Sequence, residues 1–591
     1  MDIDKKTILA FILIGLILII AQTDFYQKTI DPEGYRLRKE RERQAEIGRQ
    51  QQQEAVEQEP VQQRVEEEEK KEPETVQETE PEKTAPSSLQ PIQEMSEKTF
   101  TVNTDLYQAT LTSDGGNILQ WELKKYLGPD SNAVHLFPEN SPRTMSIIFT
   151  TRERDSVNTS DYVFTTSASG NINVNDQQKV TFTLNFGNDR RIVKEYIFRN
   201  GQYDVGFNVR FINFDDIIAN KRYIISAPHG LTSTEKRVED DRQYTKAAVY
   251  SNENIEKGYK TNGNVEKETG NIDWAAVRTK YFALYIIPQT EKSEYVQVRG
   301  EKTQIRQGEE WKKYSLKMAM PYLGNQQASD HFMLYIGPLE YNTLKSYDLG
   351  LQDFMDFGWF IIKWFAKLIL VVFMKMHTVI PNYGVVILIF AVMIKIIVYP
   401  LTHKSYESMQ KMQKVQPKLK ELQEKHKDDP QQLNKATMNL YKKEGVNPAG
   451  GCLPMLVQMP LLIGLFVVFR TTIELRNEGF IWWINDLSSP DALFTLPFSI
   501  PIYGDTVSLL PIFMMLTIFL QQKMSVTDPK QKFMVYFMPI FLFLLFNRFP
   551  SGLNLYYALF NILSIVQQKY LVPRHTKRVE ESSSPIKKKK R

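Results

Sequence analysis

Hydrophobic residues recur along this chain in three rhythms. Ile8–Ala21 is one short, unbroken apolar run behind Lys5 and Lys6, the pattern of a signal core or a membrane anchor. Gln22-Thr23-Asp24 lacks the small residues a cleavage site wants, so an uncleaved anchor over 1–26 is expected, with cleavage as the alternative. From Thr99 to Tyr347 the period is two, as in Val180, Phe182, Leu184, Phe186 and in Val205, Phe207, Val209, Phe211. Alternation of branched and aromatic residues predicts half-buried strands. Asp114-Gly115-Gly116 and Asn200-Gly201 supply hairpin turns. We therefore expect a large β-sandwich over 98–347. Beyond it the rhythm is helical. Leu351–Met376 mixes Trp359, Lys363, Trp364, Lys367 and Lys375 with apolar residues, which predicts an amphipathic helix in the membrane interface over 351–376, with a further span as the alternative. Five apolar runs follow, and we place spans at 383–402, 448–472, 505–523, 533–549 and 552–571.

The polar segments between these runs set the topology. Residues 27–97 are rich in Glu, Gln, Lys and Pro; such a stretch buries too little apolar surface to offset its ordering entropy and reads as a disordered charged linker. Residues 403–445 are charged and helical, turned at Asp428-Asp429-Pro430, and predict a cytoplasmic helical hairpin. Residues 473–504 carry Trp482, Trp483 and several prolines but few basic residues. The tail 572–591 ends in a basic run from Lys587 to Arg591. Cytoplasmic loops collect Lys and Arg. The hairpin, the Lys523–Lys532 connection and the tail then lie inside, and the β-domain and the tryptophan loop outside.

Composition removes several function classes. The net charge of the 591 residues is only +4, but it is segregated between an acidic linker and a basic tail. A single cysteine, Cys452, excludes an intramolecular disulfide. The seven histidines stand in no HExxH context, and no phosphate-binding, dinucleotide or nucleophile-elbow motif is present. Neither a metal, a cofactor nor an enzymatic activity is expected, and nothing points to DNA.

Polar residues inside the apolar runs carry the candidate chemistry. Lys395 sits in the second half of its run, where a lysine costs about 3 kcal/mol on insertion scales. Two readings stand: a side chain that snorkels to the headgroups, or a functional cation in a wet groove. Asn554, Tyr557, Asn561, Ser564 and Gln568 are spaced 3, 4, 3 and 4, one polar stripe along a helix. Such a stripe lines an aqueous cavity or glues helices together. Gln458 lies between Pro454 and Pro460, and prolines free carbonyls that need a partner at that depth. Met and Phe crowd the runs that follow, a soft wall suited to varied partners.

At this point the chain resembles a known family. KIIVYPLTHKSYESMQKMQKVQPKLKELQEK, LYKKEGVNPAGGCLPMLVQMPLLIGLF and FMPIFLFLLFNRFPSGLNLYYALFNILSIVQQ are similar to the YidC/Oxa/Alb membrane protein insertases. YIGPLEYNTLKSY and DWAAVRTKYFALYIIP resemble the periplasmic domain of the Gram-negative form. The resemblance implies a polytopic α-helical membrane protein of the bacterial inner membrane: an anchor helix, a five-helix core and a periplasmic β-sandwich. It implies a hydrophilic groove at Lys395, Gln458, Asn554, Tyr557, Asn561, Ser564 and Gln568. Beside it runs an apolar client slide at Pro454, Met455, Met459, Pro460, Met534, Phe537, Met538 and Phe541. The family commonly has arginine where Lys395 stands. Nascent and newly made integral membrane proteins are the implied clients, with membrane lipids, the Sec translocon and, through the basic tail, the ribosome as partners. The alternative is an anchored envelope-assembly or sugar-binding protein acting through its β-domain.

Overall fold

The period-two stretches fold as strands. Gln177–Asn185, Arg191–Arg199 and Asp204–Ile212 form an antiparallel meander, with Phe182 opposite Lys194 and Tyr196 opposite Phe207. Gly115 and Gly116 turn the chain before Asn117–Leu127 at φ of 72° and 60°, a left-handed geometry that costs glycine least. The computed structural model describes Leu89 and residues 96–138, 143–305, 308–324, 327–427, 429–446, 453–500, 503–525 and 532–571. The predicted anchor, nearly all of the linker and the basic tail lie outside the described residues.

Within them, a fourteen-stranded and a five-stranded sheet make up the β-domain. Their apolar faces meet: Phe100 of the smaller sheet stacks on Phe182 of the larger at 5.8 Å. One buried lysine pins the two sheets together. Lys194 Nζ donates to the Gly115 carbonyl at 2.7 Å, to Asn117 Oδ1 at 2.9 Å and to the Met145 carbonyl at 2.8 Å. Three acceptors match the three donors of an ammonium, so it is buried without a carboxylate partner.

Among the described residues, eight α-helices follow the β-domain: α1 (Phe360–His377), α2 (Tyr383–Ile397), α3 (Tyr399–Lys425), α4 (Pro430–Lys443), α5 (Leu453–Thr471), α6 (Leu510–Ser525), α7 (Lys532–Phe546) and α8 (Ser551–Val566). Asp429 caps α4 by accepting from the amides of Gln431 and Gln432, and Pro430 opens the helix, so the turn at Asp-Asp-Pro is a capping event. Two expectations are adjusted. The amphipathic helix starts only at Phe360, because Leu351–Phe354 forms a separate short 3₁₀ turn. Residues 505–508, read as the start of a span, belong instead to the strand Gly504–Ser508, paired with Ala492–Ile500.

No single described helix is long and apolar enough to cross a membrane; α2 and α3 pass together, bent by 64°. Proline explains the bend. Pro400 has no amide hydrogen to give the turn before it, so the helix stops at Ile397 and restarts at Tyr399, where proline is tolerated in the first turn.

The β-domain is clamped to the end of α5. Arg476 Nε donates to Glu235 Oε1 at 2.8 Å, its side chain only 3% exposed, between the rings of Tyr281 and Phe282. Arg470 reaches Gln243 and Asp240. Between the two arginines, Glu474 is half-buried, its Oε2 enclosed and unpaired among the described residues. Burial raises its carboxyl from 4.5 to about 7, helped by the charge of Glu340 and opposed by backbone amides.

Because the folded value lies above the unfolded one, Glu474 stabilises the fold fully below pH 4.5, and that contribution is lost as pH rises to about 7. Asp241, raised by burial from 3.8 to about 6, acts in the same direction. Glu474→Gln should therefore raise stability at pH 8 by on the order of 3 kcal/mol and leave it unchanged near pH 4. Thermal unfolding of the full chain in detergent across this range checks it; equal pH slopes for variant and parent would overturn the assignment.

Candidate functional site

Helices α2, α5, α6, α7 and α8 pack side by side, and one segment closes the end nearest the β-domain. That segment, 473–509, satisfies helix ends that would otherwise be unpaired. Asp491 Oδ2 accepts from the amides of Leu509 and Leu510 at 3.0 and 2.8 Å, at the start of α6. The Ser551 and Gly552 amides, at the start of α8, donate to the Ser489 and Leu487 carbonyls at 2.8 and 3.0 Å. Phe480 lies over Gly384, where a Cβ would come within 2.0 Å of its ring; only glycine admits this packing.

Beneath this cap is a cavity of about 920 Å³. Its wall has a polarity gradient. Toward the cap it is apolar, with Leu462, Phe466, Leu542, Phe546, Phe549 and Leu553. Toward the other end it carries Gln458, Gln521, Gln522, Asn561 and Ser564, together with Thr402, Ser405 and Tyr406 from α3. None of the lining residues is charged. Lys395, in the last turn of α2, supplies the charge one hydroxyl away. Its Nζ donates to Ser564 Oγ at 2.7 Å and lies 4.5 Å from the centroid of the Phe560 ring. The residue is 7% exposed, and no ion pair to it occurs among the described residues. An aromatic face and a hydroxyl hold the ammonium here without neutralising it.

The expected groove residues separate into two groups. Gln458, Tyr557, Asn561 and Ser564 line the cavity, and Lys395 joins them through Ser564. Asn554 sits toward the cap, where its Nδ2 donates to the Phe546 carbonyl at 3.1 Å and closes the turn from α7 to α8. Gln568 is buried in a π-helical turn beyond α8. The expected slide also divides. Met459 and Met538 line the cavity. Phe533, Phe537 and Phe541 form a stacked ladder on the outer face of α7, at 5.1 and 5.9 Å, with Phe537 and Phe541 exposed. Pro460 is half-buried in α5. The side chains of Pro454, Met455 and Met534 lie outside the described residues.

Sequence reasoning missed Thr402, Ser405 and Tyr406, which it assigned to a span end and a polar hairpin. Thr402 Oγ1 accepts from Gln567 Nε2 at 3.0 Å, tying α3 to the end of α8. In the sequence, the dipeptide Tyr399-Pro400 marks the point where the chain bends by 64°.

Residues 375–578 match the family model described as 60Kd inner membrane protein, and residues 99–372 match that of the YidC periplasmic domain. A membrane protein insertase YidC from Chlorobaculum tepidum is 37% identical over 489 residues, which cover 80% of this chain and 82% of that one. The chain belongs to the YidC family. A second relative of the same name, from Chlorobium phaeovibrioides, is 38% identical over 483 residues, 80% of this chain and 82% of its own. A solved structure of active YidC insertase with its first transmembrane domain resolved is 17% identical, with a TM-score of 0.35, over 82% of this chain and 95% of that one. These relatives are named for insertion, which does not favour the reading as a sugar-binding or envelope-assembly protein.

The two stripe asparagines should behave differently. Asn554→Leu removes both side-chain bonds that close the turn from α7 to α8, to the Phe546 and Phe549 carbonyls at 3.1 and 3.5 Å, and should cost about 1–3 kcal/mol of stability. Asn561→Leu, on the cavity wall with one long bond of 3.4 Å to Thr517, should cost less than about 1 kcal/mol. Thermal unfolding of both variants decides; equal losses would remove the distinction.

Proposed function

We propose that this chain inserts newly made proteins into the inner membrane, and that the cavity is the transient seat of a client's polar flank. The observation that carries the reading is Lys395, bonded to Ser564 with no carboxylate paired to it among the described residues, at the polar end of an otherwise uncharged, graded cavity. A client segment crossing a bilayer must move its polar flank past hydrocarbon, where unsatisfied groups are costly. Amide and hydroxyl side chains at the wet end lower that barrier, and the lysine attracts an acidic flank. The client's apolar segment meanwhile leaves along the aromatic ladder of α7 into lipid, at about 25 cal/mol per Å² removed from water. No bond is made and no nucleotide is used in this scheme. The helical hairpin of α3 and α4 receives the client on the cytoplasmic side. The β-domain and the cap lie on the periplasmic side. The Sec translocon works beside the chain for longer clients, and the tail from Arg574 contacts the ribosome by phosphate attraction.

Lys395→Arg should keep insertion of a small single-span client with an acidic outer tail, because the charge is preserved. Lys395→Ala should reduce it by about tenfold, the equivalent of about 1.4 kcal/mol, and Lys395→Glu by more. Normal insertion by the Ala and Glu variants would return Lys395 to a snorkelling role. Photocrosslinkers at Gln458 and Tyr557 should capture the client's polar flank, and one at Phe537 its apolar segment.

A further inference from the structure

The hairpin of Ala492–Ile500 and Gly504–Ser508 has no part in the cavity, yet it presents an exposed apolar surface. Its first strand, ALFTLPFSI, carries no charge. Leu493, Phe494, Phe498 and Ile500 are all exposed, Phe498 to 61%. An isolated two-stranded hairpin is marginal in water, and an uncharged free edge there invites aggregation. Its inner strand is nonetheless firmly held. Asn547, just beyond α7, accepts from the Ser508 amide at 3.1 Å and donates to the Tyr503 and Thr506 carbonyls at 3.0 and 2.6 Å. Tyr503 packs on Phe543 of α7, ring centroids 5.5 Å apart.

The hairpin is thus fixed beside the helix ends that also carry exposed Ile512 and Phe513 of α6, and its apolar surface continues theirs. Trp482 stands at its base. It is 84% exposed and stacks on Trp483, whose Nε1 donates to Asp491 Oδ2 at 3.1 Å. Exposed tryptophan marks the level of the headgroups. The free backbone edge of the outer strand sets a limit in the other direction, because unpaired amides and carbonyls are not tolerated in the hydrocarbon core.

We infer that this hairpin is a membrane contact, seated at the boundary between headgroups and acyl chains of the leaflet on the β-domain side. Lipid covers both faces of the outer strand, and headgroups and interfacial water satisfy its edge. The inference rests on the reading of the bundle as embedded in a bilayer, and the test separates the two.

The full chain with Cys452→Ser and one new cysteine, at Phe498 or at Leu493, is labelled with an environment-sensitive fluorophore. It is reconstituted in phosphatidylethanolamine–phosphatidylglycerol vesicles. Asn188→Cys, on an exposed β-domain turn, gives the water reference, and Phe537→Cys, on α7, the bilayer reference. Labels at Phe498 and Leu493 should emit to the blue of the label at Asn188. They should be quenched severalfold more by a nitroxide near the glycerol end of the acyl chain than by one near its methyl end, and resist iodide. Iodide quenching without nitroxide quenching at both positions overturns the hairpin contact while the Phe537 label still reports lipid. Shielding from both quenchers with energy transfer between differently labelled chains assigns the strand to a second copy and overturns it too. Loss of nitroxide quenching at Phe537 removes the embedded bundle, and the hairpin contact with it.

Discussion

The missing amide of Pro400 is the constraint on which the site depends. A continuous helix would carry the chain out of the bundle by about 1.5 Å per residue. The break turns it by 64°, so Thr402, Ser405 and Tyr406 become a wall. The same break leaves Lys395 in the crook between two helices, where its reach to the nearest water is set by the cavity and not by the length of α2. Proline-induced bends are common in membrane helices because nearby groups re-satisfy the freed backbone; here the Thr402 hydroxyl lies 3.1 Å from both the Val398 and the Tyr399 carbonyls, and Gln567, just beyond α8, holds that hydroxyl in turn.

The cavity in turn has a direction because the two ends of the bundle are finished differently. On the β-domain side, Asp491, Ser489 and Leu487 cap the helix starts and the ring of Phe480 lies on Gly384. On the other side the wall ends in amides. A polar segment entering such a space is stabilised at one end only, so it has little reason to pass through. The geometry favours a detour into the adjoining apolar phase over conduction across it.

Much of this architecture was legible in the chain. Alternation over Val180–Phe186 and Val205–Phe211 exposed the strands, and the Asp-Asp-Pro turn exposed the helical hairpin, because each is a local rule. The stripe from Asn554 to Gln568 was legible as a stripe, but its members divide between cavity wall and turn closure, a matter of which carbonyls the neighbouring turn leaves free. Lys194 was not legible at all. Its neighbours look like any strand, and its three acceptors come from residues 49 to 79 positions away. The hairpin at Ala492–Ser508 was partly absorbed into a predicted span, since an uncharged run of Leu, Phe and Ile reads alike as helix core and as interfacial strand.

The clamp at Arg476 has a consequence for the order in which the molecule is made. Arg476 and Glu235 are separated by 241 positions, and the arginine is buried only when the Tyr281 and Phe282 strand is already in place to receive it. The β-domain leaves the ribosome first. A chain whose β-domain is misfolded would therefore leave the Arg476 guanidinium at the end of the bundle without Glu235 and without the rings that bury it.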